Sequence, residues 1–143
     1  MMKVIFVCTG NTCRSPMAEA ILKKKAKEAG MEIEVSSAGL FANPGAEMSA
    51  NAKDVLRRTF KLTDFTHKAR PLTKEDFDEA DLVIGMTENH SRAVESLYGK
   101  NEKILSMPLP VGDPYGGDLT IYQRSAEMIE KGIDILIERG VIR

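Results

Sequence analysis

A cysteine, an arginine and a serine are grouped in a short polar segment near the start of the 143-residue chain. Cys8 is followed by Thr9-Gly10-Asn11-Thr12-Cys13 and then by Arg14 and Ser15. If this segment curls around one point between a strand and a helix, its backbone N–H groups converge there and can hold an anion. The guanidinium of Arg14 can grip two oxygens of a phosphate. The spacing therefore predicts a phosphate-binding loop.

Cys8 is the candidate nucleophile at the base of this loop. The converging donors and the guanidinium favour its thiolate over its thiol. A thiolate beneath a bound phosphate can attack phosphorus in line and form a phosphocysteine, while the loop donors stabilise the charge on the equatorial oxygens. Ser15 can donate a hydrogen bond to the departing sulfur, and Gly10 is expected to supply backbone angles that other residues resist. In the structural alternative, Cys8 is a small buried hydrophobe and Arg14 a surface charge.

The elements that must position the loop alternate between short apolar strands and amphipathic helices. Strands are predicted at 3–8, 33–37, 81–86 and 103–105, and helices at 15–30, from residue 49, at 88–98 and at 119–139. Ser15 is expected to cap the first helix, whose inner face includes Ala29, with Pro16 in its first turn and Gly30 at its end. The alternation predicts a single α/β domain, residues 1–143, with a four-stranded parallel sheet and helices on both faces. Ligands of such sheets bind beyond the carboxyl ends of the strands, where the loop after the first strand lies.

The composition is that of an ordinary soluble protein and excludes several classes. The chain has 20 Lys and Arg against 21 Asp and Glu, and this net charge of −1 lacks the basic surface that nucleic acid binding requires. No apolar run approaches the roughly 20 residues of a membrane span, and the run at 4–8 is too short for a signal peptide. Two cysteines do not make a disulfide scaffold and fit a reducing cytoplasm. With two histidines and no Cys/His cluster, neither a metal nor another cofactor is expected.

The segment Val7-Cys8-Thr9-Gly10-Asn11-Thr12-Cys13-Arg14-Ser15-Pro16 resembles the signature of the low-molecular-weight protein tyrosine phosphatase family. The likeness extends through Ser37-Ala38-Gly39, His67-Lys68-Ala69-Arg70 and Asp113-Pro114-Tyr115, so it covers essentially the whole chain. It implies the same four-stranded parallel sheet and phosphoryl transfer through the cysteine without a metal. It also implies that Asp113 is the general acid, which protonates the leaving group and then activates water. From the residues alone, Asp113 is equally well a turn aspartate before a proline.

Three further residues match supporting positions of the family. Asn11 and His67 correspond to residues that hold the phosphate loop in shape through hydrogen bonds, with Ser37 assisting. His90 lies inside a predicted helix and is expected on the surface. Cys13 is predicted to capture an oxidised Cys8 as a disulfide, which would protect the nucleophile; the alternative is a second buried thiol that fills space.

The residue before the second cysteine bears on the substrate. Tyrosine-directed members of the family usually have isoleucine there, whereas Thr12 resembles the bacterial protein arginine phosphatases. A hydroxyl leaves room and a polar partner for a guanidinium. Tyr115, followed by two glycines, and Phe41, a candidate pocket wall, also resemble the arginine-directed branch. We therefore expect a phosphatase for phosphoarginine, with phosphotyrosine as the alternative.

Other functions compatible with the loop are less well supported by the chain. An arsenate reductase on the same scaffold would need cysteines beyond Cys8 and Cys13, and the chain has none. A non-catalytic anion-binding module would not need both Cys8 and Asp113, and a phosphocarrier would not need Asp113 to activate water. The expected partners are phosphorylated proteins, with inorganic phosphate as product and neither nucleic acid nor membrane involved. The protein is expected to act as a monomer.

Overall fold

Four parallel strands form the centre of the fold. In the computed structural model, which describes residues 1–143, the strands are β1 (Met2–Cys8), β2 (Ile33–Gly39), β3 (Leu82–Gly85) and β4 (Ile104–Ser106). Their order is β2-β1-β3-β4. The register pairs Cys8 of β1 with Gly39 of β2, and Val7 of β1 with Gly85 of β3. The carboxyl ends of the three strands therefore meet at one edge, and the predicted parallel sheet is confirmed.

Five helices cover the two faces of this sheet. They are α1 (Arg14–Ala29), α2 (Ala50–Phe60), α3 (Lys74–Glu79), α4 (Glu88–Tyr98) and α5 (Leu119–Glu138). The larger core lies between the sheet and α1, α2 and α5, and the smaller core between the sheet and α3 and α4. The expected helices on both faces are confirmed. None of the helices combines the length and apolar composition that a membrane span requires.

The alternation of side chains along β1 explains its continuous apolar sequence. Val4, Phe6 and Cys8 belong to the larger core, and Ile5 and Val7 to the smaller one. Successive strand residues point to opposite faces, so a strand covered on both sides is apolar at every position. Cys8 thus ends the strand with its side chain on the face that α1 covers.

The start of α1 differs from the prediction. The helix begins at Arg14, Cys13 occupies the capping position without a side-chain hydrogen bond to the backbone, and Ser15 is already helical. The expected capping role of Ser15 is wrong, because its hydroxyl faces the sulfur of Cys8 instead. Pro16 lies in the first turn and Gly30 ends the helix in the left-handed conformation, both as predicted, whereas Ala29 is exposed and not part of the core.

The short helix α3 was not predicted. Thr73 caps it by accepting from the N–H of Asp76, and the Asp76 carboxylate accepts from the N–H of Thr73 in return. Asp76 also accepts from the Arg70 guanidinium at 2.8 Å. Burial raises the pKa of Asp76, but the hydrogen bonds from Arg70 and Thr73 outweigh it and leave the pKa below its usual value. Asp76 is therefore an anchored group and not a freely solvated charge.

Candidate active site

The segment between β1 and α1 forms the floor of a small pocket. The pocket encloses about 200 Å³ and is lined by Cys8, Thr9, Gly10, Asn11, Thr12, Cys13, Arg14, Asp113 and Tyr115. It lies at the carboxyl end of β1, which has β2 on one side and β3 on the other. The strand order reverses direction at this point, and α/β sheets bind their ligands at such a position. A pocket of this size suits a phosphoryl group and the first atoms of its leaving group.

The sulfur of Cys8 is buried, with only 3% of the residue exposed, and two donors face it. The backbone N–H of Asn11 donates to Sγ at 3.3 Å. The hydroxyl of Ser15 lies 2.8 Å from Sγ and already accepts from the side-chain amide of Asn11 at 2.9 Å. The hydroxyl hydrogen of Ser15 is therefore free to point at the sulfur. Two donors are thus directed at Sγ, the atom predicted to attack phosphorus.

Asn11 gives the loop its shape. Its backbone has φ = 57°, the left-handed region that asparagine tolerates better than most residues. Gly10 does not have a positive φ, and a Cβ there would meet only the Thr12 hydroxyl at 3.8 Å. The expectation that Gly10 supplies the unusual backbone angles is therefore wrong, because Asn11 supplies them.

The side chain of Asn11 is fully buried, and both its nitrogen and its oxygen are hydrogen-bonded. Its Nδ2 donates to the hydroxyls of Ser15 and Ser37, at 2.9 and 3.0 Å, and its Oδ1 accepts from the N–H of Arg70. His67 Nε2 lies 2.8 Å from the carbonyl oxygen of Asn11, so this nitrogen carries the hydrogen and donates. Asn11, Ser37 and His67 thus meet at the loop, and their supporting roles stay predictions.

Glu19 completes this network and was missed in the sequence. The hydroxyl of Ser37 donates to Glu19 Oε1 at 2.6 Å, and Lys23 pairs with the other carboxylate oxygen. The carboxylate orients the Ser37 hydroxyl so that its oxygen accepts from Asn11. The spacing from Ser15 to Glu19 is one turn of a helix, so their shared face was a usable signal.

Gly39 lets β2 approach the loop closely. A Cβ on this residue would lie 2.6 Å from the carbonyl oxygen of Thr9 and 3.1 Å from Asn11 Cβ. Directly after Gly39, the N–H groups of Leu40 and Phe41 donate to the carbonyl oxygens of Cys8 and Thr9, both at 2.9 Å. Only glycine permits these backbone bonds, because any side chain would displace the Thr9 carbonyl.

Arg14 and Asp113 form the opposite wall of the pocket. Arg14 is 7% exposed, and its Nη1 donates to the carbonyl oxygen of Val111 at 3.2 Å. Its Nη2 lies 3.8 Å from Asp113 Oδ2. The other oxygen of Asp113 accepts from the N–H of Tyr115 at 3.0 Å, so the aspartate is also a turn residue. Its side chain is 57% exposed, which leaves the carboxyl open to a ligand and to water.

Three predicted substrate-binding residues, Thr12, Tyr115 and Phe41, differ in how closely they approach the pocket. Thr12 is half-buried in the pocket wall, and the Tyr115 ring is exposed at its edge. Phe41 is not among the lining residues: its ring is 83% exposed, and it meets the loop through its backbone. Its role as a pocket wall stays a prediction.

Cys13 points away from the phosphate loop into the larger core. Its sulfur lies 3.3 Å from the hydroxyl of Tyr122 and donates to Ser49 Oγ at 3.5 Å. Burial and the contact with Cys13 raise the pKa of Tyr122 to about 12. Both cysteines are free thiols. The protective disulfide with Cys8 stays a prediction.

His90 is not the surface residue that was expected. It is 7% exposed, its Nε2 lies 3.0 Å from Thr9 Oγ1, and its Nδ1 accepts from the N–H of Thr87 at 3.2 Å. Burial, then the positive charge of Arg14, lowers the pKa of His90 to about 4 against the opposing effect of Asp113. One signal was available in the sequence, since His90 lies in the first turn of the helix that follows β3. Because β3 is next to β1, that helix begins close to the loop that follows β1.

A second groove is larger but carries less chemistry. It encloses about 480 Å³ between α1 and residues 62–67, and its polar lining balances three lysines against three carboxylates, with Thr66 and His67 beside them. Three or more His, Cys, Asp or Glu side chains do not come together anywhere in the chain in a way that could hold a metal ion. The smaller pocket alone combines a buried sulfur, a buried guanidinium and an accessible carboxyl. This arrangement can bind a tetrahedral oxyanion, attack it and exchange a proton with its leaving group.

The chain is similar to known phosphatases over nearly its whole length. Residues 3–140 match the family described as low molecular weight phosphotyrosine protein phosphatase. A protein-arginine-phosphatase of Bacillus subtilis (strain 168) is 38% identical over 138 residues, which cover 91% of each chain. A low molecular weight protein tyrosine phosphatase from T. tengcongensis has a TM-score of 0.91 and 41% identity, covering 97% of this chain and 99% of that one. A YwlE arginine phosphatase mutant with a phosphorylated active-site serine has a TM-score of 0.89 and 35% identity, covering 96% and 95%.

Proposed function

The chain belongs to the low molecular weight phosphotyrosine protein phosphatase family and is a protein phosphatase with a cysteine nucleophile, and from this premise we propose that it hydrolyses phosphoarginine in proteins. Cys8 is the proposed nucleophile, Arg14 the phosphate ligand and Asp113 the general acid. The backbone N–H groups of residues 9–15 hold the phosphoryl oxygens. Inorganic phosphate is the proposed product and a monomer the proposed state.

The hydroxyl of Thr12 is the observation that carries the choice of substrate. Thr12 lines the pocket, and the one hydrogen-bond contact of its hydroxyl is a long one, 3.7 Å to the sulfur of Cys13. The hydroxyl oxygen is therefore available to accept from a guanidinium N–H. A pocket with such an acceptor selects substrates that can satisfy it, whereas an isoleucine would present only apolar surface.

In the first step, Cys8 Sγ forms a bond to phosphorus as the phosphorus–nitrogen bond of phosphoarginine breaks. The electron pair of that bond moves to the guanidine nitrogen, which takes a proton from Asp113. The buried guanidinium of Arg14 and the loop N–H groups stabilise the charge on the transferred phosphoryl group. Asp113 suits this role because its carboxyl is exposed at the rim, 3.8 Å from Arg14, where a leaving group would emerge.

In the second step, water forms a bond to phosphorus as the sulfur–phosphorus bond of the phosphocysteine breaks. The Asp113 carboxylate accepts the proton of the attacking water. The Ser15 hydroxyl and the Asn11 N–H stabilise the departing thiolate, to which they are already directed. The phosphorylated active-site serine in a YwlE arginine phosphatase mutant supports a covalent intermediate at this position.

Phosphotyrosine is the second candidate substrate. Tyr115 places an aromatic ring, 79% exposed, beside the pocket, where it can pack against a phenol ring. The structural relative from T. tengcongensis is a tyrosine phosphatase by name, which supports the same alternative. The two substrates differ in the hydrogen bonds that their leaving groups offer to Thr12.

Kinetics on two peptides of the same sequence, one with phosphoarginine and one with phosphotyrosine, test the proposal. We expect a higher kcat/KM for phosphoarginine in the wild type and in Thr12→Ser, which keeps the hydroxyl. Thr12→Ile should shift the ratio towards phosphotyrosine by about tenfold or more, because it removes the acceptor. A wild-type preference for phosphotyrosine, or an unchanged ratio in Thr12→Ile, would contradict phosphoarginine as the substrate.

A further inference from the structure

The phosphate loop is anchored on two sides, and one of the anchors is His90. On the β2 side, the buried Asn11 side chain and the His67 ring hold the middle of the loop. On the β3 side, the one side-chain hydrogen bond to the loop is that between His90 Nε2 and Thr9 Oγ1, at 3.0 Å. Thr9 is the first residue after the cysteine, so this bond acts next to the reacting sulfur.

The direction of this hydrogen bond follows from the helix cap. The backbone N–H of Thr87 donates to His90 Nδ1 at 3.2 Å, so Nδ1 carries no hydrogen. The hydrogen of the neutral ring is therefore on Nε2, which donates to Thr9 Oγ1. The reciprocal bond, in which Thr87 Oγ1 accepts from the N–H of His90, completes the cap. The start of α4 thus fixes both the tautomer and the orientation of the ring.

The orientation of Thr9 controls a donor of the loop. The carbonyl oxygen of Thr9 accepts from the N–H of Phe41 at 2.9 Å. Since the peptide bond is planar and trans, the N–H of Gly10 points opposite to that carbonyl, towards the inside of the loop. Threonine is β-branched and has a single side-chain torsion before its oxygen, so a bond to Oγ1 restrains the backbone of Thr9 directly. A loose Thr9 would let the Gly10 N–H turn away from the bound phosphoryl group.

We propose that His90 is a positioning residue for phosphoryl transfer, which acts by holding Thr9 and with it the Gly10 N–H in the phosphate-binding orientation. The ring does not touch the substrate. Its burial beside Arg14 suits a neutral donor, because a second positive charge there would repel the guanidinium. The inference concerns the phosphoryl group alone and does not depend on whether arginine or tyrosine carries it.

Two substitutions of His90 test the hydrogen bonds of its two ring nitrogens separately. Asn places an acceptor near the position of Nδ1, so His90→Asn can keep the cap of α4 but does not reach Thr9. Gln places a donor near the position of Nε2, so His90→Gln can restore the bond to Thr9. Thr9→Val removes the acceptor without changing the shape of the side chain, and Thr9→Ser retains it. Thr73→Val, which removes the equivalent cap of α3 away from the pocket, controls for the loss of a helix cap alone.

The variants are compared by kcat and KM for p-nitrophenyl phosphate, by the inhibition constant of inorganic phosphate and by urea unfolding. His90→Asn and Thr9→Val should each lower kcat/KM and weaken phosphate binding by about fivefold, the effect of one lost hydrogen bond. Their double variant should lose no more than either single one, because both break the same bond. His90→Gln and Thr9→Ser, which keep a donor and an acceptor for this bond, should recover most of the activity and phosphate affinity that His90→Asn and Thr9→Val lose, and Thr73→Val should change stability only.

Two results would overturn the proposal. One is a wild-type kcat/KM and phosphate inhibition constant in both His90→Asn and Thr9→Val. The other is an equal loss in His90→Asn and His90→Gln that adds to the loss in Thr9→Val, which would assign His90 to packing. If His90→Asn does not fold, the comparison of Thr9→Val with Thr9→Ser decides, and equal activity in these two variants would refute the role of the hydroxyl.

Discussion

The close approach of β2 to the phosphate loop predicts a large effect of one methyl group. In Gly39→Ala the new Cβ would lie 2.6 Å from the carbonyl oxygen of Thr9, which is backbone and cannot rotate away. Ordinary contacts to a Cβ begin at about 3.4 Å, so the Thr9–Gly10 peptide must move by about 0.8 Å. A displacement of this size at a catalytic site can cost about a hundredfold in rate. The free energy of unfolding should fall by about 1–3 kcal/mol, as overpacking usually costs.

Gly132→Ala is the matched control for this substitution. Its Cβ would also lie 2.6 Å from its nearest neighbour, but that neighbour is the terminal methyl of Met107, which can move. Gly132 lies inside α5, where alanine is also the better helix former. The stability of this variant should stay within about 1 kcal/mol of the wild type, and its activity should be unchanged.

The assay combines kcat/KM for p-nitrophenyl phosphate, the inhibition constant of inorganic phosphate and urea unfolding. In Gly39→Ala, kcat/KM should fall by about a hundredfold and the inhibition constant of phosphate should rise, while the protein remains folded. A kcat/KM within about threefold of the wild type would refute the reasoning, because the loop would then tolerate the displacement. An equal loss in Gly132→Ala would also refute it.

Two further predictions concern protons and oxidation. Because the pKa of His90 is lowered from 6.5 to about 4, the unfolded chain binds a proton there that the folded chain does not. The stability that this group contributes is complete above pH 6.5 and is lost as the pH falls towards 4. The free energy of unfolding, measured with urea, should therefore fall more steeply over this pH range for the wild type than for His90→Gln. Equal slopes would contradict the lowered pKa of His90. Hydrogen peroxide should convert Cys8 to a sulfenic acid, which the Cys13 thiol attacks to form a disulfide and release water. In Cys13→Ser, peroxide should oxidise the Cys8 sulfenic acid further to a sulfinic acid, which dithiothreitol does not reduce. Dithiothreitol should therefore restore the wild type but not Cys13→Ser, and equal recovery of both would argue against a protective disulfide.

The parts of the fold that could be predicted are those in which local sequence and burial agree. A strand covered on both faces is apolar throughout, as in residues 4–8, and an amphipathic helix shows its buried stripe directly. The end of α1 at Gly30 was predictable for the same reason, because a glycine after a helical stripe is the usual residue for a left-handed helix end. The helix α3 was missed because its few charged residues look like a solvated run unless the Thr73–Asp76 cap is recognised.

The candidate site was predictable where one continuous segment forms it. Cys8, Arg14 and Ser15 lie within a single loop and helix start, so their spacing alone indicated the pocket. His90 and Gly39 were not predictable in the same way, because their contacts with Thr9 depend on which strands are neighbours and how closely they approach. Glu19 acts through Ser37, a residue on another strand, and this partnership exists only after folding.

The most direct test of the account is the detection of the covalent intermediate. In Asp113→Ala, activation of the hydrolytic water is impaired, so the phosphocysteine should accumulate on a substrate with a good leaving group, such as p-nitrophenyl phosphate. Rapid acid quenching and peptide mass spectrometry should find one added phosphoryl group on Cys8 and none in Cys8→Ala. A phosphoryl group on another residue, or full turnover by Cys8→Ala, would contradict the claim that Cys8 carries the reaction.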